Sequence, residues 1–161
     1  MLSRLTTFLQ KIEDGILVSL MLVMIGMAVF QIFLRNFFDA GIIWADPLVR
    51  VLVLWIGLIG AMAASRTDNH ISIDIISRFL PSKVKQFTSL TVYIFTAVIC
   101  GLMAWHSFRF VQMERMDKMA AFAGVPAWIC EAIIPVAFAI ICIRYTLFFC
   151  HQLFRITGRT Q

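Results

Sequence analysis

Apolar residues in this chain fall into four long blocks separated by short polar segments. The first block runs from about Ile12 to Phe38, the second from Asp46 to about Ser65, the third from about Lys85 to Phe110, and the fourth from Pro126 to about Phe154. Each is long enough to cross a bilayer, and each is apolar around the whole helix rather than along one stripe. The pattern predicts an all-α integral membrane protein, with four transmembrane helices forming a single membrane domain over residues 1–161. The first block rises roughly 40 Å as a helix, more than a ~30 Å hydrocarbon core, and is expected to tilt or protrude. The second opens on Asp46-Pro47, which reads as an N-cap acid followed by proline at the first helical position.

Two shorter segments look amphipathic. Between the second and third blocks, Ile71, Ile75, Ile76, Phe79 and Leu80 share a helical face, with Ser72, Asp74, Ser77 and Arg78 opposite and Pro81 closing the segment. Between the third and fourth, VQMERMDKMAAFAG places Glu114 and Lys118 one turn apart before Gly124 and Pro126. Both are expected to be short helices lying in the membrane interface. Arg4 and Lys11 precede the first block as in a signal peptide, but Glu13 and Asp14 interrupt its approach and no small-residue cleavage site follows. That block is expected to stay as the first span.

Composition agrees with the pattern. Of 161 residues, 61% are hydrophobic and 14% charged, against about 45–50% and 25% in soluble domains. The net charge of +5 is spread between the blocks, so it speaks to membrane orientation and not to nucleic acid. Arg4, Lys11, Arg66, Arg78, Lys83, Lys85, Arg155 and Arg159 fall on one side, and Arg35, Arg109, Arg115 and Lys118 on the other. The richer side is expected to be cytoplasmic, with both termini there. Cys100, Cys130, Cys142 and Cys150 make no CxxC or metal-ligand spacing and read as packing residues.

Charges beside membrane-length apolar sequence are costly and each needs a reason. Several lie between Gln31 and Asp74. Gln31 and Arg35 are one turn apart at the end of the first block, and Asp46 and Arg50 share a face of the second. Glu131, a little over one turn into the fourth block, lies at a depth that suits pairing with Arg50 or Arg35. Arg144 lies about 27 Å along that block, where it can snorkel or meet Glu13 or Asp14. None of these sits near the midplane, where a carrier usually places its charges. Gly57/Ala61 and Gly60/Ala64 form small-xxx-small pairs that allow close helix approach. Trp44 and Trp128 fit an aromatic belt.

Three functional classes compete. A redox anchor needs two histidines at matching depth for a bis-histidine haem, and His70, His106 and His151 fall at different levels. A small self-associating transporter has only Glu131 as a shallow candidate acid. An accessory subunit lending helices to a larger transporter accounts for the excess apolar surface and the small-residue face. No catalytic residue, metal or cofactor is expected in any of the three except the redox case.

The stretch from Gln31 to Asp74 also resembles a family. Gln31-x-x-x-Arg35, Trp44-Ala-Asp46-Pro-Leu-x-Arg50, Gly57 and Gly60, Ala64-x-Arg66-x-x-x-His70-Ile-x-Ile-Asp74 and Leu80-Pro81 resemble the small DctQ-like membrane component of tripartite ATP-independent periplasmic (TRAP) transporters. Pro47 departs from the pattern where a second acid is frequent, and Asn69 where a basic residue is. The resemblance implies a bacterial inner-membrane protein bound to a larger multi-helix subunit that carries the substrate and sodium sites. It implies delivery of an organic acid by a periplasmic solute-binding protein, with uptake driven by an ion gradient. Gln31, Arg35, Trp44, Asp46, Arg50, Gly57, Gly60, Ala61, Ala64, Arg66, His70 and Asp74 would then serve a subunit interface, with Glu131 as an intramembrane charge partner. Arg109, Arg115 and Lys118 would face the periplasmic partner.

Overall fold

A computed structural model describes residues 2–39, 41–66 and 82–157. Helix α1 spans Leu2–Phe38, α2 Ala45–Ala64 and α3 Ser82–Asp117. A small hairpin follows, with β1 at Ala120–Phe122 and β2 at Val125–Pro126, then the short α4 at Ala127–Glu131 and α5 at Ile133–Thr157. Four helical stretches are long and apolar enough to cross a membrane: Gln10–Phe38, Ala45–Ala64, Thr88–Asp117 and Ala127–Phe154. These reproduce the four expected spans.

The details differ in four places, each for a local reason. Helix α2 begins at Ala45 with Trp44 in the cap position, and no side chain caps it. Asp46 is therefore inside the first turn, its carboxylate turned to α1 instead of to its own helix. Val111–Asp117, expected as part of a separate interfacial helix, continues α3 without a break. Lys118, in the left-handed region at φ 51, then ends it.

The rest of that segment is not helical. Ala123 and Gly124 have φ 43 and 82, between the paired residues Phe122 and Val125. Two successive positive values are what a two-residue type I′ hairpin loop needs, and glycine supplies the second without strain. The last difference lies in the fourth span, which divides at Ala132. Pro135 has no N–H to give the Glu131 carbonyl four residues back, and its ring crowds that carbonyl. The proposed helix over residues 71–80 lies outside the described residues.

The helices form a row. α1 packs chiefly on α2, α2 on α5, and α5 on α3. The buried centre is Ile59 and Met62 of α2, Cys100 of α3, and Ala137 and Ile141 of α5, flanked by Leu17, Leu20, Trp55, Leu58 and Phe138. Gly101 of α3 faces the Cys142 side chain of α5, whose sulfur lies 3.5 Å from where its Cβ would be. The Cys142 thiol donates to the Ala97 carbonyl at 3.3 Å. Most other large apolar side chains point outward, among them Leu22, Ile32, Phe37, Phe95, Trp105 and Leu147. For a helix in lipid that is ordinary, because association there depends on close packing and not on hiding apolar surface from water.

Candidate functional site

Helix α2 is the element on which the sequence-predicted residues converge, and it is fixed at both ends. At its first turn, Arg35 Nη2 of α1 donates to Asp46 Oδ2 at 2.6 Å, with both side chains more than half open to the surroundings. Gln31, one turn before Arg35, is buried. Its amide donates to the Ile42 carbonyl at 3.2 Å and to Asp46 Oδ1 at 3.5 Å, and accepts from the Ile42 N–H at 3.4 Å. The connection folds back tightly on α1: a Cβ on Gly41 would meet Arg35 Nε at 3.4 Å. Asp39, at φ 45, ends α1 in a conformation that aspartate tolerates better than most residues.

At the other end, α2 runs out of amide donors for its last carbonyls. Ser65 Oγ donates to the Met62 carbonyl at 2.7 Å. Arg144 Nη1 of α5 donates to the same carbonyl, and to Ser65 Oγ at 3.1 Å. Arg144 Nη2 also reaches Glu13 Oε1 of α1 at 3.0 Å. Arg66 Nε donates to Glu13 Oε2 at 2.7 Å and Arg66 Nη1 to Asp14 Oδ1 at 2.7 Å. Burial alone would lower the Arg66 pKa, but its bonds to Asp14 and Glu13 outweigh that and hold the guanidinium above its ordinary value. Glu13 thus serves two arginines from two other helices, and both cations sit where the α2 dipole is negative.

Between the two ends, the helix has two faces. Leu52, Ile59 and Met62 are buried against the rest of the row. Arg50, Val53, Gly57, Ala61 and Ala64, at helical spacing on the other side, are exposed. A Cβ on Gly57 would meet nothing within 4 Å. Gly60 belongs elsewhere, since its Cβ would meet Leu17 of α1 at 3.7 Å. The expected pair Gly60/Ala64 is therefore split between two surfaces, while Gly57/Ala61 stays together on the open one. Trp55, midway, donates from Nε1 to the Cys130 carbonyl at 2.9 Å. Cys130 lies in the last turn of α4, where the break at Ala132 leaves carbonyls short of intrahelical partners.

Other predicted residues are placed apart. Trp44 is exposed beside the α2 start. The expected Arg35–Glu131 and Arg50–Glu131 pairs do not form: Arg35 is taken by Asp46, and Glu131 Oε2 is buried without a hydrogen-bond partner. Arg50 is exposed and makes no ion pair among the described residues. Arg115 lies over the Trp128 ring at 5.6 Å from its centroid, while Arg109 and Lys118 are exposed. His70 and Asp74 lie outside the described residues. Ser65 and Trp55 were not anticipated as polar anchors. Ser65 stands just past the last apolar turn of α2, the position where orphan carbonyls need partners, and that was the available signal.

A family model described as "Tripartite ATP-independent periplasmic transporters, DctQ component" matches residues 24–155. The sialic acid TRAP transporter small permease protein SiaQ of Vibrio cholerae is 24% identical over 127 residues, covering 79% of this chain and 73% of that protein. The C4-dicarboxylate TRAP transporter small permease protein DctQ of Rhodobacter capsulatus is 26% identical over 105 residues, 65% of this chain and 46% of that one. The sialic acid TRAP transporter permease protein SiaT of Haemophilus influenzae is 28% identical over 91 residues, which is 56% of this chain but only 15% of that much longer protein. With four apolar spans, the Gln31-to-Arg66 polar anchors and a family match over most of its length, the chain belongs to the DctQ family of TRAP transporter small permease components.

Proposed function

We propose that this chain is the scaffold subunit of an ion-gradient-driven TRAP uptake system for an organic acid, and that it acts by bracing a larger multi-helix permease in the bacterial inner membrane. The observation that carries the reading is the open face of α2. A helix held to α1 at its first turn, and to α1 and α5 at its last, nevertheless leaves Val53, Gly57, Ala61 and Ala64 uncovered. Small side chains in that arrangement let another helix come close, which is how membrane helices associate.

On this reading both termini are cytoplasmic, by the excess of Lys and Arg on that side. Asp46 and Arg50 then mark the periplasmic end of α2, with Arg66, His70 and Asp74 at the cytoplasmic end. The whole of 1–161 acts as one membrane domain. Arg109 and Lys118 are free to meet the periplasmic solute-binding protein, whereas Arg115 is engaged with Trp128. The transported substrate belongs to the carboxylate class, in line with relatives named for sialic acid and for C4-dicarboxylate. Substrate and sodium sites reside in the permease, so the work of this chain is packing and anchoring, with no cofactor or catalytic step.

The test is co-purification of the permease on an affinity-tagged copy of this chain. Gly57→Leu fills the open face without touching the packed one, and should reduce permease recovery at least tenfold while the chain itself remains monodisperse in detergent. Undiminished recovery with Gly57→Leu would remove α2 as the docking element.

A further inference from the structure

Arg50 is a cation one turn inside a membrane-length helix, with no counter-charge paired to it among the described residues. Helix α2 has 20 residues and a length of about 30 Å, which matches the hydrocarbon core with nothing to spare. Arg50 therefore lies about 7 Å inside the Asp46 end by helical rise. Its natural partner is the acid one turn earlier, but Asp46 is held by Arg35 at 2.6 Å and by Gln31. Glu131 makes no bond to it either, and among the described residues Arg50 forms no ion pair. It stands on the same open face as Val53, Gly57, Ala61 and Ala64.

We infer that the permease helix seated on this face carries a carboxylate at the depth of Arg50, and that the pair fixes the height and rotation at which the two subunits join. The inference rests on the docking reading above and adds the chemistry of the partner to it. Small residues alone allow close approach anywhere along the stripe, because Gly and Ala give little register. A single charge at one level supplies what they lack, since a helix sliding by one turn would leave both charges unpaired in hydrocarbon. A protein carboxylate fits better than a lipid phosphate. Once a helix lies against Gly57 and Ala61, the same helix covers Arg50 about two to three turns along the stripe and displaces lipid from it. In SiaT the matching stretch is 15% of a single long polypeptide, so a large remainder is held permanently close enough to supply such a helix.

The experiment uses the complex, with this chain tagged and the permease co-expressed. Arg50→Gln, which keeps size and hydrogen bonding but removes charge, should lower permease recovery at least fivefold, and Arg50→Glu further still. Each variant is checked alone for monodisperse elution, with Arg50→Met replacing any that fails. The Arg50→Glu loss should be reversed by an Asp/Glu→Lys change at one position in the membrane helices of the permease. Recovery within fivefold of wild type for Arg50→Gln overturns the inference, as does failure of every such acid-to-lysine change to restore the Arg50→Glu complex. Unchanged recovery accompanied by loss of a bound phospholipid in native mass spectrometry also overturns it and assigns Arg50 to a headgroup. If Arg50→Gln keeps the permease while Gly57→Leu loses it, the docking face stands and only the charge pairing falls. If neither variant loses it, both fall.

Discussion

At the Asp46 end of α2, one ion pair joins two helices, and its side chains are 59% and 52% exposed. At the Arg66 end, Glu13 is shared by Arg66 and Arg144, whose side chains are 11% and 23% exposed, and three helices meet on one acid. The contrast teaches that charge is used in two ways on one helix. An exposed pair orients a connection and contributes little to stability, because the surroundings screen it and the side chains lose freedom. A half-buried, shared acid is costly to desolvate, but once it is paired the loss of one member strands the others. The Asp46 end is held mainly by buried Gln31 on the Ile42 backbone, and the Arg66 end by the charges themselves.

Four substitutions probe that contrast, all read by thermal unfolding of the purified chain in detergent. Glu13→Ala should be the most damaging, by about 3–5 kcal/mol, since it leaves Arg66 and Arg144 facing each other without their shared acid. A loss below about 1 kcal/mol would mean the cluster is solvated like the opposite end. Gln31→Ala should cost about 1–3 kcal/mol, because the Ile42 N–H and C=O both lose their partner. Trp55→Phe, which removes the Nε1 bond to Cys130 together with part of a ring packed against the buried centre, should cost about 1–3 kcal/mol. Asp46→Asn should cost less than about 1 kcal/mol, shrinking further at high salt. An Asp46→Asn penalty larger than that of Gln31→Ala would reverse the assignment of what holds the connection between α1 and α2.

Two departures from the expected fold have causes that lie locally in the sequence. Pro135 marks the break in the fourth span, although the apolar run around it reads as continuous. Ala123-Gly124 marks the hairpin, but Val111–Asp117 has enough helical character to disguise how much of the segment before it belongs to α3. Asp46-Pro47 looks like a cap and proline start, yet the helix begins two residues earlier, with Arg35 and Gln31 bonding the Asp46 carboxylate from α1. Local preference was outbid there by a partner 11 residues back in the chain.

By itself, then, the sequence determined the four spans, the placement of charges near span ends and the small residues of α2. Those are properties of composition and length along one helix, and hydrocarbon thickness selects them directly. The tertiary structure decided which face of α2 is used and which charges meet. Arg66 bonds Glu13 from 53 positions away and Arg144 bonds the same acid from 131 away. Such pairings depend on how each helix is rotated about its axis, and spacing within a helix carries no information on that rotation relative to its neighbours. Gly57 and Gly60 stand three residues apart and look equivalent in sequence, but that rotation turns Gly60 to Leu17 and leaves Gly57 open for a partner.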